Sequence, residues 1–182
     1  MEKLDMFIDL KNYTKTAEYL NDNERNRRLL HYFPWMEPMD WKGERISVTD
    51  MIEKGEIWTA WNDFPYGWRK AFGWDMLKEL DQVIREDKIN NFTILQIKEK
   101  FGGLRFYCTG DYGDNKKISE IVRKYEELSY RTCIECGKPA KWISKGWICP
   151  YCDKCKQKIT EEETPKFVRI EEFYGKEKAD QD

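Results

Sequence analysis

The sequence predicts an α+β fold: helices packed on a small antiparallel, hairpin-centred sheet, followed by a compact cysteine module. Three observations predict it. Trp68, Phe72, Met76, Leu80, Val83 and Ile84 recur at helical spacing. Residues 92–101 and 104–108 read as strands on either side of Gly102-Gly103, a strong short-range hairpin signal. Five of the six cysteines fall between Cys133 and Cys155, in CxxC spacing.

Taken in order, residues 1–33 read as helical, with Asn21 or Asp22 as a cap before a helix whose apolar stripe is Leu29, Leu30 and Phe33. Pro34 and Pro38 stop that helix. Residues 37–65 are rich in tryptophan and turn residues, with room for a short helix around Met51. The amphipathic helix of residues 66–86 follows, with Pro65 where it begins. After the hairpin, GDYGDN reads as a loop; it resembles a calcium loop only in part, because the full ligand spacing is missing. Ile118, Ile121, Val122, Tyr125 and Leu128 mark another amphipathic helix, which leads into the cysteines. Residues beyond Lys158 are acidic and lack a sustained period, so they read as a flexible tail, with Phe167, Val168, Ile170 and Phe173 able to dock. The expected organisation is a core domain over 1–130, a metal module over 131–158 and the tail over 159–182.

Cysteines at 133, 136, 149, 152 and 155 are one more than a tetrahedral site needs. Pairing Cys133 and Cys136 with Cys152 and Cys155 leaves 15 residues between the pairs, typical of two-pair zinc sites, whereas using Cys149 and Cys152 leaves only 12. The expected ligands of a structural zinc, in a zinc knuckle or ribbon, are therefore Cys133, Cys136, Cys152 and Cys155, with Cys149 spare. Gly137 suits the knuckle turn, where positive φ is needed. Four thiolates leave no coordination position for water, so the site reads as structural rather than catalytic. The one histidine, His31, is remote and flanked by Tyr32 and Phe33, and reads as a core or surface residue.

With Gly102-Gly103 at the tip, Phe101 faces Leu104, Glu99 faces Phe106 and Ile97 faces Cys108; with Leu95 these form an apolar face interrupted by Glu99. The other face sets Lys100 opposite Arg105, Lys98 opposite Tyr107 and Gln96 opposite Thr109. Like charges opposite one another are unfavourable in a sheet, so Lys100 and Arg105 suggest an anion between them. The bland reading is a solvated face whose lysines discourage edge pairing. Glu99, on the core face, requires a partner. The aromatic run from Trp61 to Trp74 reads as core rather than as a stacking surface, and Glu24–Arg28 as exposed helix charge.

The formal net charge is only -2, which excludes a uniformly basic coat, yet it hides a split. Thr93–Lys158 carries 14 basic and 8 acidic residues, a net of +6, against 18 and 26, a net of -8, in the remainder. That asymmetry points the basic part toward an anionic partner. No apolar run is long enough for a membrane span, and MEKLDMFIDL lacks the features of a signal peptide, so no membrane role and a cytoplasmic location are expected. P-loop, dinucleotide, metalloprotease and serine-hydrolase motifs do not occur.

The order FPYGWRKAF, IKEKFGGLRFY, YEELSYRTCIECGKPA and GWICPYCDKC resembles a family of small proteins of bacteriophage and prophage genomes, over roughly residues 29 to 156. In that family the last ligand pair reads Cys-Asp-x-His or Cys-Asp-x-Cys. Cys152-Asp153-Lys154-Cys155 matches it, and so again leaves Cys149 outside the site. The resemblance carries over no catalytic residue.

The leading expectation is a non-enzymatic accessory protein that binds nucleic acid, or another phosphate-bearing anion such as a nucleotide, through Lys98, Lys100, Arg105, Tyr107 and Gln96, with Lys138, Lys141 and Lys145 extending that surface. The resemblance suggests an alternative: an anti-defence or host-takeover factor that blocks a host protein or sequesters a nucleotide signal in the host cytoplasm. A nuclease using Glu99 ranks last, since no partner acid or base is identifiable.

Overall fold

The computed structural model describes residues 22–112, 115–159 and 166–179. The helix expected over 1–21 and the Gly113-Asp114 part of the GDYGDN loop lie outside the described residues. The chain is α+β, with helices and small antiparallel sheets. It forms two units, each drawn from several stretches: the described residues up to Phe64 with Trp74–Ile97 and Phe106–Val122, and Pro65–Gly73 with Lys98–Arg105 and the chain from Arg123 onward.

In the first unit α1 (Asp22–Tyr32) buries Leu29 and Leu30 and is followed by a single 3₁₀ turn at Pro34–Met36, where Pro34 occupies the first turn. The segment that follows contains α2 (Val48–Glu53), whose N-cap Ser47 accepts the Asp50 N–H, and a 3₁₀ turn at Ala60–Asp63. Its core is aromatic: Phe33 packs on Trp35 and Trp74, and Trp35 packs edge-on against Phe92. Glu24–Arg28 is not simply exposed charge. Asn26 is fully buried; its amide donates to the Ile57 carbonyl and Asn62, and accepts from the Thr59 hydroxyl. A buried amide has to find such partners, and here they tie α1 to residues 57–62.

The helix expected over 66–86 is present as a turn, α3 (Tyr66–Trp68), a π-helical stretch Arg69–Gly73, and α4 (Trp74–Glu86). Trp68, Phe72, Met76, Leu80, Val83 and Ile84 are all buried, so the helical period marks core. Strands β1 (Thr93–Lys100) and β2 (Gly103–Thr109) form the hairpin, and α5 (Lys116–Ser129) follows.

In the second unit a three-stranded antiparallel sheet runs in the order β4 (Pro150–Tyr151), β3 (Trp142–Ser144), β5 (Phe167–Arg169). The short helix α6 (Asp153–Gln157) precedes β5, and α7 (Ile170–Ala179) follows it. The flexible tail expected from 159 is thus corrected over residues 167–169, where Ile143 pairs with Val168 and Ser144 with Phe167. Trp142 reinforces that pairing, with Lys156 Nζ 3.3 Å from its ring centroid and the Arg169 guanidinium 4.0 Å away. No helix among the described residues is long and apolar enough to cross a membrane.

Candidate metal centre and the hairpin end

Two turns bring the cysteine pairs together. At the first, the Cys133 N–H donates to the Lys138 carbonyl and the Gly137 N–H to the Cys133 carbonyl, with Gly137 at φ +75° as the knuckle requires. At the second, Cys152 is the N-cap of α6, its sulfur accepting the Cys155 N–H. The ligand atoms of Cys133, Cys136, Cys152 and Cys155 all lie within 4.8 Å of one another, and the Cys136 and Cys152 sulfurs are 3.5 Å apart. A tetrahedral site with metal–sulfur bonds of about 2.3 Å places its sulfurs about 3.8 Å apart, so the four fit one ion. All are free thiols.

Burial pushes the Cys133 and Cys155 thiols up. At Cys152 burial also raises the thiol, but hydrogen bonds from the Cys155 N–H and from neighbouring cysteines together outweigh it and bring the thiol down to about 7. Cys149 is buried but not in the cluster; burial pushes its thiol up to about 12, which marks an inert structural cysteine. His31 is exposed and stands edge-on to Tyr32.

The module is anchored within its own unit. The Trp68 indole N–H donates to the Thr132 carbonyl, the Gly67 N–H to the Ile134 carbonyl, and Phe72 stacks on Tyr125. On its outer side Asp153 accepts from Lys141 Nζ and the Trp142 indole. Both hydrogen bonds hold the Asp153 carboxyl below the usual range. Lys141 is thus engaged, while Lys138 and Lys145 are exposed.

The hairpin turn is not the expected Gly102-Gly103. Phe101 and Gly102 occupy it, at φ +52° and +76°, the signs a type I′ turn demands at both central residues. A two-residue turn there sets Lys100 opposite Gly103, Glu99 opposite Leu104, Lys98 opposite Arg105 and Gln96 opposite Tyr107. Each residue changes partner by two positions, which keeps its face, so the basic and core faces survive although the Lys100–Arg105 pairing does not. Ile97, Leu104 and Phe106 are buried, whereas Phe101 and Leu95, expected on the core face, are exposed.

 Leu95 is 56% exposed and Phe101 67%, while Ile97, Leu104 and Phe106 are 5% exposed or less. The Glu99 carboxylate has its partner in the turn itself, accepting the Gly102 N–H at 2.7 Å. That contact gives it a structural task in the turn.

Of the residues expected to bind an anion, Lys98, Lys100 and Arg105 fall together in the second unit, at the end of the hairpin. Gln96 and Tyr107, both exposed, belong to the part of the hairpin in the first unit. The Arg105 guanidinium is oriented by donating to the Tyr130 hydroxyl at 3.0 Å and to the Leu104 carbonyl at 2.7 Å. Two residues escaped the sequence reading: Phe101, placed on the core face, and Trp147, noticed only within the Gly-Trp motif. Both are strongly exposed, and both line one cleft of about 280 Å³ with Lys100 and Ile148. An aromatic beside glycine in a turn was the available signal for each.

The geometry defines an α+β protein with a four-cysteine cluster able to hold a metal ion. Comparison with family models, curated proteins and solved structures gave no match for the chain.

Proposed function

We propose that this is a non-enzymatic, phage-type accessory protein that binds nucleic acid, or another phosphate-bearing anion, through the basic end of its hairpin, on a module held together by a structural zinc. One observation carries the reading: Lys98 and Arg105 stand opposite one another with Lys100 one pair further on, three cations on one face of the last turns of a hairpin. Cations gathered on one face raise the local positive potential and favour an anionic ligand there. The donor set supports zinc, since four cysteine sulfurs within 4.8 Å of one another suit that ion and would close its coordination sphere. The metal would supply a cross-link, and the chain's own residues would do the binding.

The test is fluorescence anisotropy with labelled oligonucleotides over a salt series. Affinity falls steeply with salt, and changing Lys98→Gln together with Arg105→Gln lowers the magnitude of the log–log slope by about 1.4 to 1.8, the loss of two phosphate contacts. An unchanged slope and affinity in that variant would remove the hairpin end from the binding surface.

A further inference from the structure

We propose that the cleft between the hairpin turn and the loop before β4 stacks an unpaired nucleobase, so that the protein prefers single-stranded nucleic acid to duplex. This rests on the nucleic-acid reading above and narrows it.

Phe101 is 67% and Trp147 77% exposed, and the two line the same cleft. Each ring forgoes the burial that a large apolar side chain ordinarily gains. Phe101 does so from a left-handed backbone conformation that itself costs about 1–2 kcal/mol in a residue with a Cβ. A costly backbone that presents an exposed ring is an observation from which function is properly inferred.

Both walls of the cleft are fixed. The turn is held by the Glu99 carboxylate on the Gly102 N–H, and it lies so close to Ile148 that a Cβ on Gly102 would meet the Ile148 Cγ2 at 3.0 Å. The opposite loop is pinned by Ser144, 1% exposed, whose hydroxyl donates to the Trp147 carbonyl and accepts the Cys149 N–H at 3.0 Å. Rings on rigid supports bind without a further ordering cost.

The chemistry at the rim selects the occupant. Lys100 Nζ stands 5.5 Å from the Phe101 ring centroid, so a base stacked there would have its phosphate beside a cation. Alternating aromatic and cationic groups match the base and phosphate repeat of a single strand. In a duplex the base faces are already stacked on one another and unavailable to the rings.

The probes are a short labelled oligothymidylate and a labelled duplex, measured at one salt concentration. Wild type binds the single strand more tightly. Phe101→Ala and Trp147→Ala each weaken single-strand binding by roughly 5- to 150-fold, the usual worth of one stacked base, and leave duplex binding unchanged. Trp147→Phe, which keeps a stacking ring, recovers much of the loss. Far-UV circular dichroism and metal content verify that these surface variants fold. If the double alanine variant binds the single strand as wild type does, with salt dependence intact, the stacking cleft is overturned while the basic hairpin reading stands. Preference for duplex in the wild type also overturns it. Failure to bind either probe overturns the nucleic-acid reading and the stacking cleft together.

Discussion

Phe101 shows how one residue can defeat a correct sequence signal. Gly102-Gly103 does announce a hairpin, but the two glycines have different tasks. Gly102 supplies a positive φ in the turn, whereas Gly103 lies in β2, where an added Cβ would sit 2.4 Å from the Tyr130 ring. The second glycine is needed for close packing, and the other turn position falls to Phe101. No local pattern carries that information, because Tyr130 approaches from 27 residues along the chain. The strain is measurable. Asparagine tolerates the left-handed region and favours the first position of this turn, so Phe101→Asn raises stability by about 1 kcal/mol. Denaturant unfolding would show this as a higher midpoint at unchanged slope. A lower midpoint would mean that the ring contributes more to the folded state than its exposure suggests.

Among the elements, legibility follows length. The period of α4 is long enough for Met76, Leu80, Val83 and Ile84 to announce a buried face, and that of α5 announced the second helix as well. The π-helical stretch Arg69–Gly73 was not legible, since the apolar spacing runs through it; it adjoins the turn where the Gly67 N–H bonds to Ile134, a tertiary contact. The three-residue β5 is too short to show a period, and what fixes it is pairing with β3 and the Arg169 contact on Trp142. Ends of helices were likewise set by partners. Asp87, just after α4, accepts from Lys117 in the first turn of α5 and from Asn115. The Lys117 hydrogen bond, then that of Asn115, holds the Asp87 carboxyl below its ordinary range. A depressed carboxyl contributes stability above its unfolded pKa and loses it as pH falls through the folded value. The same pair holds Lys117 above its usual value, so its share persists until strongly alkaline pH. The stability difference between wild type and Asp87→Asn is therefore small, because the pair is exposed, and it shrinks as pH is lowered through the acid range. Urea titrations at a series of pH values measure it; a difference that does not vary with pH would assign the effect of Asp87 to something other than its charge.

At the scale of the whole molecule, spacing arithmetic located the four cysteines while the division of the chain stayed hidden. The ligand pairs are local in sequence and their separation is diagnostic. The second unit, by contrast, is drawn from Pro65–Gly73, Lys98–Arg105 and the chain from Arg123 onward, which no reading of consecutive residues would group. The cysteine cluster is a core of that unit, with Cys133, Cys152 and Cys155 buried and Ala140 and Tyr151 packed on it. Without a cation, burial keeps the Cys133 and Cys155 thiols protonated, and the cluster loses the charge attraction that binds it. Purified protein is expected to contain about one zinc per chain, retained in Cys149→Ala and lost in Cys136→Ala. Stripping the metal with a chelator then lowers the free energy of opening of the second unit selectively. Hydrogen exchange read by mass spectrometry would show protection lost over residues 131–158 and at Gly67, whose amide bonds to Ile134, while α4 keeps its protection. Equal loss across both units would show that they open together, and no loss in either would show that the fold of the second unit does not depend on the metal.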